Sequence, residues 1–109
     1  MKRGEVWTVA GGPNYVGKPR PAVIIQDDAF ADTASVTICA MTTTAIAASL
    51  ARIAIDPSPL NGLRVPSQVM ADKVTSVPRT KLGRHIGHLS AADMVRVDRA
   101  LIVFLGLAH

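Results

Sequence analysis

The run Gly17-Lys18-Pro19-Arg20-Pro21-Ala22-Val23-Ile24-Ile25-Gln26 sets an arginine between two prolines at the start of an apolar strand. Each proline fixes its own φ and biases the preceding residue toward extended geometry, so Arg20 has little backbone freedom. A guanidinium carries a planar fork of donors that suits a phosphate group. The run therefore indicates either a held arginine for binding a phosphodiester or an ordinary turn whose arginine stays in solvent.

The composition indicates one small globular domain. The chain has 109 residues, of which 49% are hydrophobic and 4% aromatic, which suffices for one core but not for two domains. We therefore take residues 1–109 as a single domain. The longest apolar stretch, 100–108, is too short for a membrane span, and the charged start has no apolar run of a signal peptide behind it. We expect a cytoplasmic protein without membrane contact.

The charge balance and the single cysteine narrow the function classes. Twelve Lys and Arg against eight acidic residues give a net charge of +4 and an isoelectric point of about 9.8. This surplus favours a polyanionic partner, either nucleic acid or an acidic protein segment. Cys39 is the only cysteine and lies in an apolar run, so we expect a core residue rather than a nucleophile.

Alternation of apolar and polar residues predicts a chain of short, closely spaced strands. The predicted strands are Glu5–Val9, Ala22–Gln26, Val36–Met41, Arg52–Ile55, a segment near Ser67–Ser76, and Gly83–Leu89. Between them we predict a loop over Ala10–Pro19, a helical turn or polar connection in Asp27–Asp32, a short helix or ordered loop over Ala45–Ala51, and a turn at Asn61-Gly62. The connections are too short for repeated helical crossovers, which favours a small, strongly bent sheet or partial barrel.

The C-terminal segment predicts a helix. Ser90 is a candidate N-cap, with Asp93 three residues on. Apolar residues recur after it at helical spacing: Met94, Val97, Leu101 and Phe104. Others widen the apolar surface beyond one stripe: Val95, Ile102 and Leu105. Such a helix is either deeply buried or shared with a partner subunit.

Polar chemistry is expected at strand ends, because glycine-rich phosphate loops and metal-ligand spacings are absent from the sequence. We therefore expect neither a metal nor a cofactor. Met41-Thr42-Thr43-Thr44 places hydroxyls where a buried strand leaves the core, where they bind phosphate or simply end the strand. His85 and His88 are expected at the surface, where one could act as an acid or base. Basic residues that could surround the threonines are Lys18, Arg20, Lys73, Arg79, Lys81 and Arg84.

Five segments, in order, resemble the MazF/PemK family of type II toxin–antitoxin ribonucleases. They are Arg3–Trp7, Gly17–Ile25, Ala40–Thr43, Val69–Val74 and Ile86–Ser90. The resemblance implies a mainly β, SH3-like small barrel with a C-terminal α-helix that forms a homodimer. It implies a metal-independent, sequence-selective endoribonuclease that cleaves single-stranded RNA to 2′,3′-cyclic phosphate and 5′-hydroxyl ends. It also implies a cognate acidic, MazE-like antitoxin that blocks the RNA groove.

The resemblance assigns the catalytic roles to Arg20 and Thr42. Arg20 would stabilise the charged transition state and protonate the leaving oxygen, and Thr42 would hydrogen-bond the phosphate and orient the attacking hydroxyl. Charge stabilisation is expected to be the main role of Arg20, because a guanidinium stays protonated at neutral pH. The implied RNA-binding residues are Tyr15, Lys18, Thr43 and Lys73. Tyr15 either stacks on a base or pins the loop Gly11–Lys18 to the barrel.

The chain departs from many members of this family in two places. Its loop Gly11–Lys18 is short and lacks an acidic residue often found there, and Lys73 stands where glutamine is common. We expect these changes to alter base preference while cutting survives. The alternatives are a CcdB-like toxin that poisons gyrase without nuclease activity and a non-catalytic SH3-like interaction module. Arg20 and Thr42 favour the nuclease, and the low aromatic content disfavours a peptide groove.

Overall fold

The computed structural model describes residues 1–10, 18–47 and 50–108. Within them lie the strands β1 (Glu5–Val9), β2 (Arg20–Ile24), β3 (Ser35–Thr42), β4 (Arg52–Ile55), β5 (Ser67–Pro78) and β6 (Leu82–His88), the helix α1 (Ala91–Phe104), and 3₁₀ turns at Asp28–Phe30 and Arg79–Lys81. Every predicted strand is present. The predicted loop Ala10–Pro19 lies mostly outside the described residues, and the described part of Ala45–Ala51 contains no helix.

The strands form one antiparallel sheet in the order β4-β5-β3-β2-β1-β6. No ladder among the described residues joins the two edge strands, so the sheet is bent but not closed. The connection after β4 reaches the other edge instead, where the His88 N–H donates to the Leu60 carbonyl at 3.0 Å. The prediction of a mainly β, partial-barrel fold with a C-terminal helix is confirmed.

Side-chain alternation divides the core between the two faces of the sheet. The first face packs under α1 and includes Val6, Val23, Cys39 and Val69, with Val97 of α1 packed against them. The second face has its own buried cluster: Ala22, Ile24, Val36 and Ile38, with Trp7, Val9, Val77 and Leu82 packed against it. Two residues in succession on one strand therefore point into different cores.

Helix α1 begins and packs as predicted, although its last turns stay in solvent. The Ser90 hydroxyl oxygen accepts the Asp93 N–H at 3.1 Å, which caps the first turn. Val97, Ala100 and Leu101 are buried, but Phe104, part of the predicted apolar stripe, is 49% exposed. No helix in the described ranges is long and apolar enough to cross a bilayer.

The predicted turn at Asn61-Gly62 is present and locks the connection after β4. The buried Asn61 side chain accepts the Ser58 and Leu63 N–H groups, both at 3.0 Å, and donates to the Asp56 carbonyl at 2.8 Å. Gly62 has φ +70°, and a Cβ there would lie 2.0 Å from the Ile86 carbonyl oxygen. Only glycine fits this approach to β6.

Two arginines tie distant segments together. Arg52 donates to both carboxylate oxygens of Asp72, at 2.7 and 3.1 Å, which joins β4 to β5. This hydrogen bonding lowers the pKa of the Asp72 carboxyl. Arg3 donates to the Ile25 carbonyl at 2.8 Å and to the Asp98 carboxylate, which holds the N-terminal segment against α1.

We predict that Asp72→Asn lowers the free energy of unfolding at pH 7 by about 1 kcal/mol, because the partly buried pair loses its charge-assisted bonds. Since Arg52 lowers the pKa of Asp72 below its usual 3.8, the pair stabilises the fold fully above that value. The stabilisation is lost as the pH falls through the lowered pKa. Denaturant titrations of both proteins from pH 7 to pH 2 should therefore converge at low pH. Asp32→Asn, an exposed carboxylate between β2 and β3, is the control and should change little.

Candidate active site

Arg20 and Thr42 lie at neighbouring ends of two adjacent strands. The β2–β3 ladder pairs Ala22 with Ala40 and Ile24 with Ile38. Both strands run two residues beyond Ala22 and Ala40, to Arg20 and Thr42. The fold therefore brings the strand ends that carry an exposed arginine and a threonine distant in sequence to the same end of the sheet.

A third polar residue extends this pair across the sheet. Gln68 on β5 lies opposite Thr42 in the β3–β5 ladder. The register of this ladder shifts between Cys39, which pairs with Val74, and Met41, which pairs with Val69. The exposed Lys73 lies in the shifted stretch of β5, so the ladder does not set it opposite a residue of β3. Arg20, Thr42 and Gln68, named here the polar row, lie at neighbouring ends of β2, β3 and β5.

The Thr42 hydroxyl is oriented by its own turn. Its oxygen accepts the Thr44 N–H at 3.1 Å, and a hydroxyl that accepts with its oxygen keeps its proton to donate. Thr42, Thr43, Ser67 and Gln68 line a cavity of about 150 Å³. The other walls of this cavity come from β4 and β5 and include Asp56, so the cavity lies on the side of Thr42 away from β2 and Arg20.

Gln68 was missed by the sequence reasoning. Its side-chain oxygen accepts the Ile46 N–H and its side-chain nitrogen donates to the Ile46 carbonyl, both at 3.3 Å. The amide thus holds the segment after Thr44 beside the cavity. In the sequence, Gln68 is the polar residue directly before the apolar run Val69–Ala71. Only the pairing of β5 with β3 shows that Gln68 lies opposite Thr42.

The remaining predicted site residues are placed as follows. Lys18 is exposed just before β2, and Thr43 is exposed at the cavity. Tyr15 lies outside the described residues. Arg79 is not part of the polar row, because its guanidinium donates to the Thr33 carbonyl at 2.6 Å near the far end of β3.

The other reactive side chains lie away from the polar row. Cys39 is fully buried, and burial raises the pKa of its thiol to about 11, which confirms a structural residue. His85 and His88 are exposed, as predicted, but on the edge strand β6. In the described ranges no three His, Cys, Asp or Glu side chains come together as a metal site.

Comparison with known proteins points to one group. A family model described as PemK-like, MazF-like toxin of type II toxin–antitoxin system matches residues 2–105. The chain is 54% identical over 108 residues to a probable endoribonuclease MazF of Mycolicibacterium smegmatis, with 99% of both chains covered. It is 29% identical over 115 residues to endoribonuclease MazF9 of Mycobacterium tuberculosis, with 98% of both covered. A solved mycobacterial endoribonuclease in complex with its cognate antitoxin superposes with a TM-score of 0.84 at 28% identity, over 100% of this chain and 98% of that one.

We predict that Gln68→Ala frees the segment held through Ile46 without unfolding the protein. Hydrogen exchange at the Ile46 amide should accelerate by about tenfold, since a weak protecting hydrogen bond is lost. The thermal midpoint should change little because Gln68 is half-exposed. Gln68→Glu keeps an acceptor for the Ile46 N–H and is the matched control. Unchanged exchange at Ile46 in the alanine variant would contradict the assigned contact.

Proposed function

This chain belongs to the PemK-like, MazF-like toxin family of type II toxin–antitoxin systems, and from that premise we propose how it acts as an endoribonuclease. It cleaves single-stranded RNA without a metal ion, at selected sequences, and leaves 2′,3′-cyclic phosphate and 5′-hydroxyl ends. Its site of action is the cytoplasm, where RNA is accessible. The gyrase-poisoning alternative is not favoured, because the named relatives are endoribonucleases.

The neighbouring positions of Arg20 and Thr42 carry this proposal. A phosphodiester needs a fixed cation for its developing charge and a donor that sets its orientation. The adjacent ends of β2 and β3 carry an arginine and a threonine that support this role. The exposed Lys18 and Lys73 would add positive charge for the flanking phosphates.

In the proposed reaction the RNA 2′-oxygen attacks the adjacent phosphorus. The 2′-hydroxyl loses its proton as the new P–O bond forms, and the 5′-oxygen gains a proton as its bond to phosphorus breaks, so no proton is consumed overall. Arg20 stabilises the extra negative charge on the five-coordinate phosphorus. The Thr42 hydroxyl donates a hydrogen bond to a phosphate oxygen and so aligns the attacking group. Its hydrogen is free for this bond because the hydroxyl oxygen accepts the Thr44 N–H.

Two kinds of partner are proposed, one for the polar row and one for the apolar surface at the end of α1. The basic polar row suits an acidic antitoxin segment that competes with RNA, and a structurally similar endoribonuclease was solved with its cognate antitoxin. The end of α1 exposes Val103, Phe104, Leu105 and Leu107, and a cavity of about 420 Å³ beside it is lined by Ile46, Leu50 and Phe104. Apolar surface of this kind supports a homodimer that buries it.

We predict that Arg20→Ala lowers the rate of RNA cleavage by about 10²–10³-fold, the usual cost of losing one preorganised donor to a developing charge. Arg20→Lys should recover part of this loss, because it keeps the charge without the planar fork. Arg99→Ala removes an equal charge from α1, on the other side of the sheet, and should cut normally. Cleavage rates under single-turnover conditions measure this, with size-exclusion chromatography to check assembly. An Arg20→Ala protein as active as the unmodified one would remove Arg20 from the mechanism.

Cleavage in excess EDTA tests the reaction itself. The purified protein, free of antitoxin, should cut a long single-stranded RNA at discrete positions, and end mapping should find 2′,3′-cyclic phosphates and 5′-hydroxyls. Activity that disappears in EDTA and returns with a divalent cation would contradict metal independence. Intact RNA from a folded protein, together with arrest of gyrase, would instead favour the gyrase poison.

A further inference from the structure

A stacked aromatic pair lies on the β1–β6 edge, apart from the polar row. The Trp7 and His85 rings have centroids 5.2 Å apart and planes inclined by 12°. Trp7 packs on the second core with its indole, whereas 43% of the His85 side chain is exposed. The pair therefore presents an imidazole to solvent, backed by a larger ring.

Both rings are fixed by hydrogen bonds before any ligand arrives. The Trp7 indole N–H donates to the Glu5 carboxylate at 2.8 Å. The His85 Nε2 lies 2.9 Å from the Gly87 carbonyl oxygen, and since a carbonyl only accepts, Nε2 carries the proton. Neither ring needs to lose torsional freedom when a third ring is added, which reduces the entropic cost of binding.

His85, the exposed member of the pair, borders a space large enough for a nucleotide. A cavity of about 600 Å³ is lined by Glu5, His85, His88, Lys2 and Ser90. Glu5 precedes Val9 by four residues, roughly 13 Å along β1, and Val9 pairs with Arg20. The Glu5 wall of the cavity thus lies about 13 Å along β1 from the residue that pairs with Arg20, and the cavity extends from there to Ala91 and Met94 of α1.

We propose that the exposed face of His85, backed by Trp7, is a stacking subsite for one nucleobase of single-stranded RNA flanking the cleaved bond. Bases of single strands stack on aromatic side chains, including histidine, with little dependence on sequence. Lys2 at the cavity supplies a cation for the attached phosphate. This inference rests on the proposed cleavage of RNA and adds a residue pair that positions the strand.

A combination of protein and RNA changes tests the subsite. The RNA is an oligonucleotide containing the mapped cleavage sequence, with a 2′-deoxy sugar at the attacked position so that it binds without being cut. Each flanking base is then replaced in turn by an abasic residue. Binding is measured for the unmodified protein, His85→Ala, His85→Phe and, as a control for loss of an exposed aromatic ring elsewhere, Phe30→Ala.

At one flanking position, base removal should weaken binding to the unmodified protein by about tenfold. His85→Ala should weaken binding to the intact oligonucleotide by a similar factor and should be insensitive to base removal at that position. His85→Phe should restore the sensitivity, and Phe30→Ala should leave it unchanged. Trp7 is the only tryptophan, so its fluorescence should change on binding the intact oligonucleotide and less with the abasic one.

Two results would overturn the inference, and they are distinguishable from failure of the proposed function. If the unmodified protein cuts and binds RNA while His85→Ala shows the same affinity and the same abasic profile, no base stacks there. If His85→Ala weakens every abasic oligonucleotide equally, and His85→Phe does not restore binding, His85 acts through charge rather than stacking. An unmodified protein that neither cuts nor binds RNA would refute the proposed function itself.

Discussion

The antiparallel register of β3 is the constraint on which the rest of the structure depends. This strand pairs with β2 on one side and with β5 on the other, and its alternating side chains supply both cores. A shift of one residue would exchange those faces and send Cys39 and Ile38 to the wrong sides. The same register sets Gln68 opposite Thr42 and brings the end of β2, with Arg20, beside the end of β3. The fold and the candidate site therefore depend on one strand.

The two cores have different consequences for function. The first is sealed by α1 and holds the Cys39 thiol out of solvent. The second ends at the polar row, where buried side chains give way to Arg20 and Thr42. Side chains at the rim of a packed core are held by it and remain accessible, which is what the proposed charge stabilisation by preorganised donors requires.

Much of the local structure was predictable from residue patterns. Strand β1 and strand β4 have the predicted bounds, and the Ser90 cap and the Asn61-Gly62 turn are as expected. Strand β2 begins two residues earlier than predicted, because Arg20 pairs with Val9. Proline spacing showed that Arg20 is extended but carried no information about its partner on β1.

The sequence by itself determined the strand positions, the helix, the identity of the family and the choice of Arg20 and Thr42 as candidates, because these depend on local periodicity and on contiguous motifs. Only the tertiary structure decided that Gln68 faces Thr42, that Phe104 stays exposed, and that His85 stacks on Trp7. Each of these depends on strand register and on packing between residues distant along the chain, and no local pattern fixes which of them will meet.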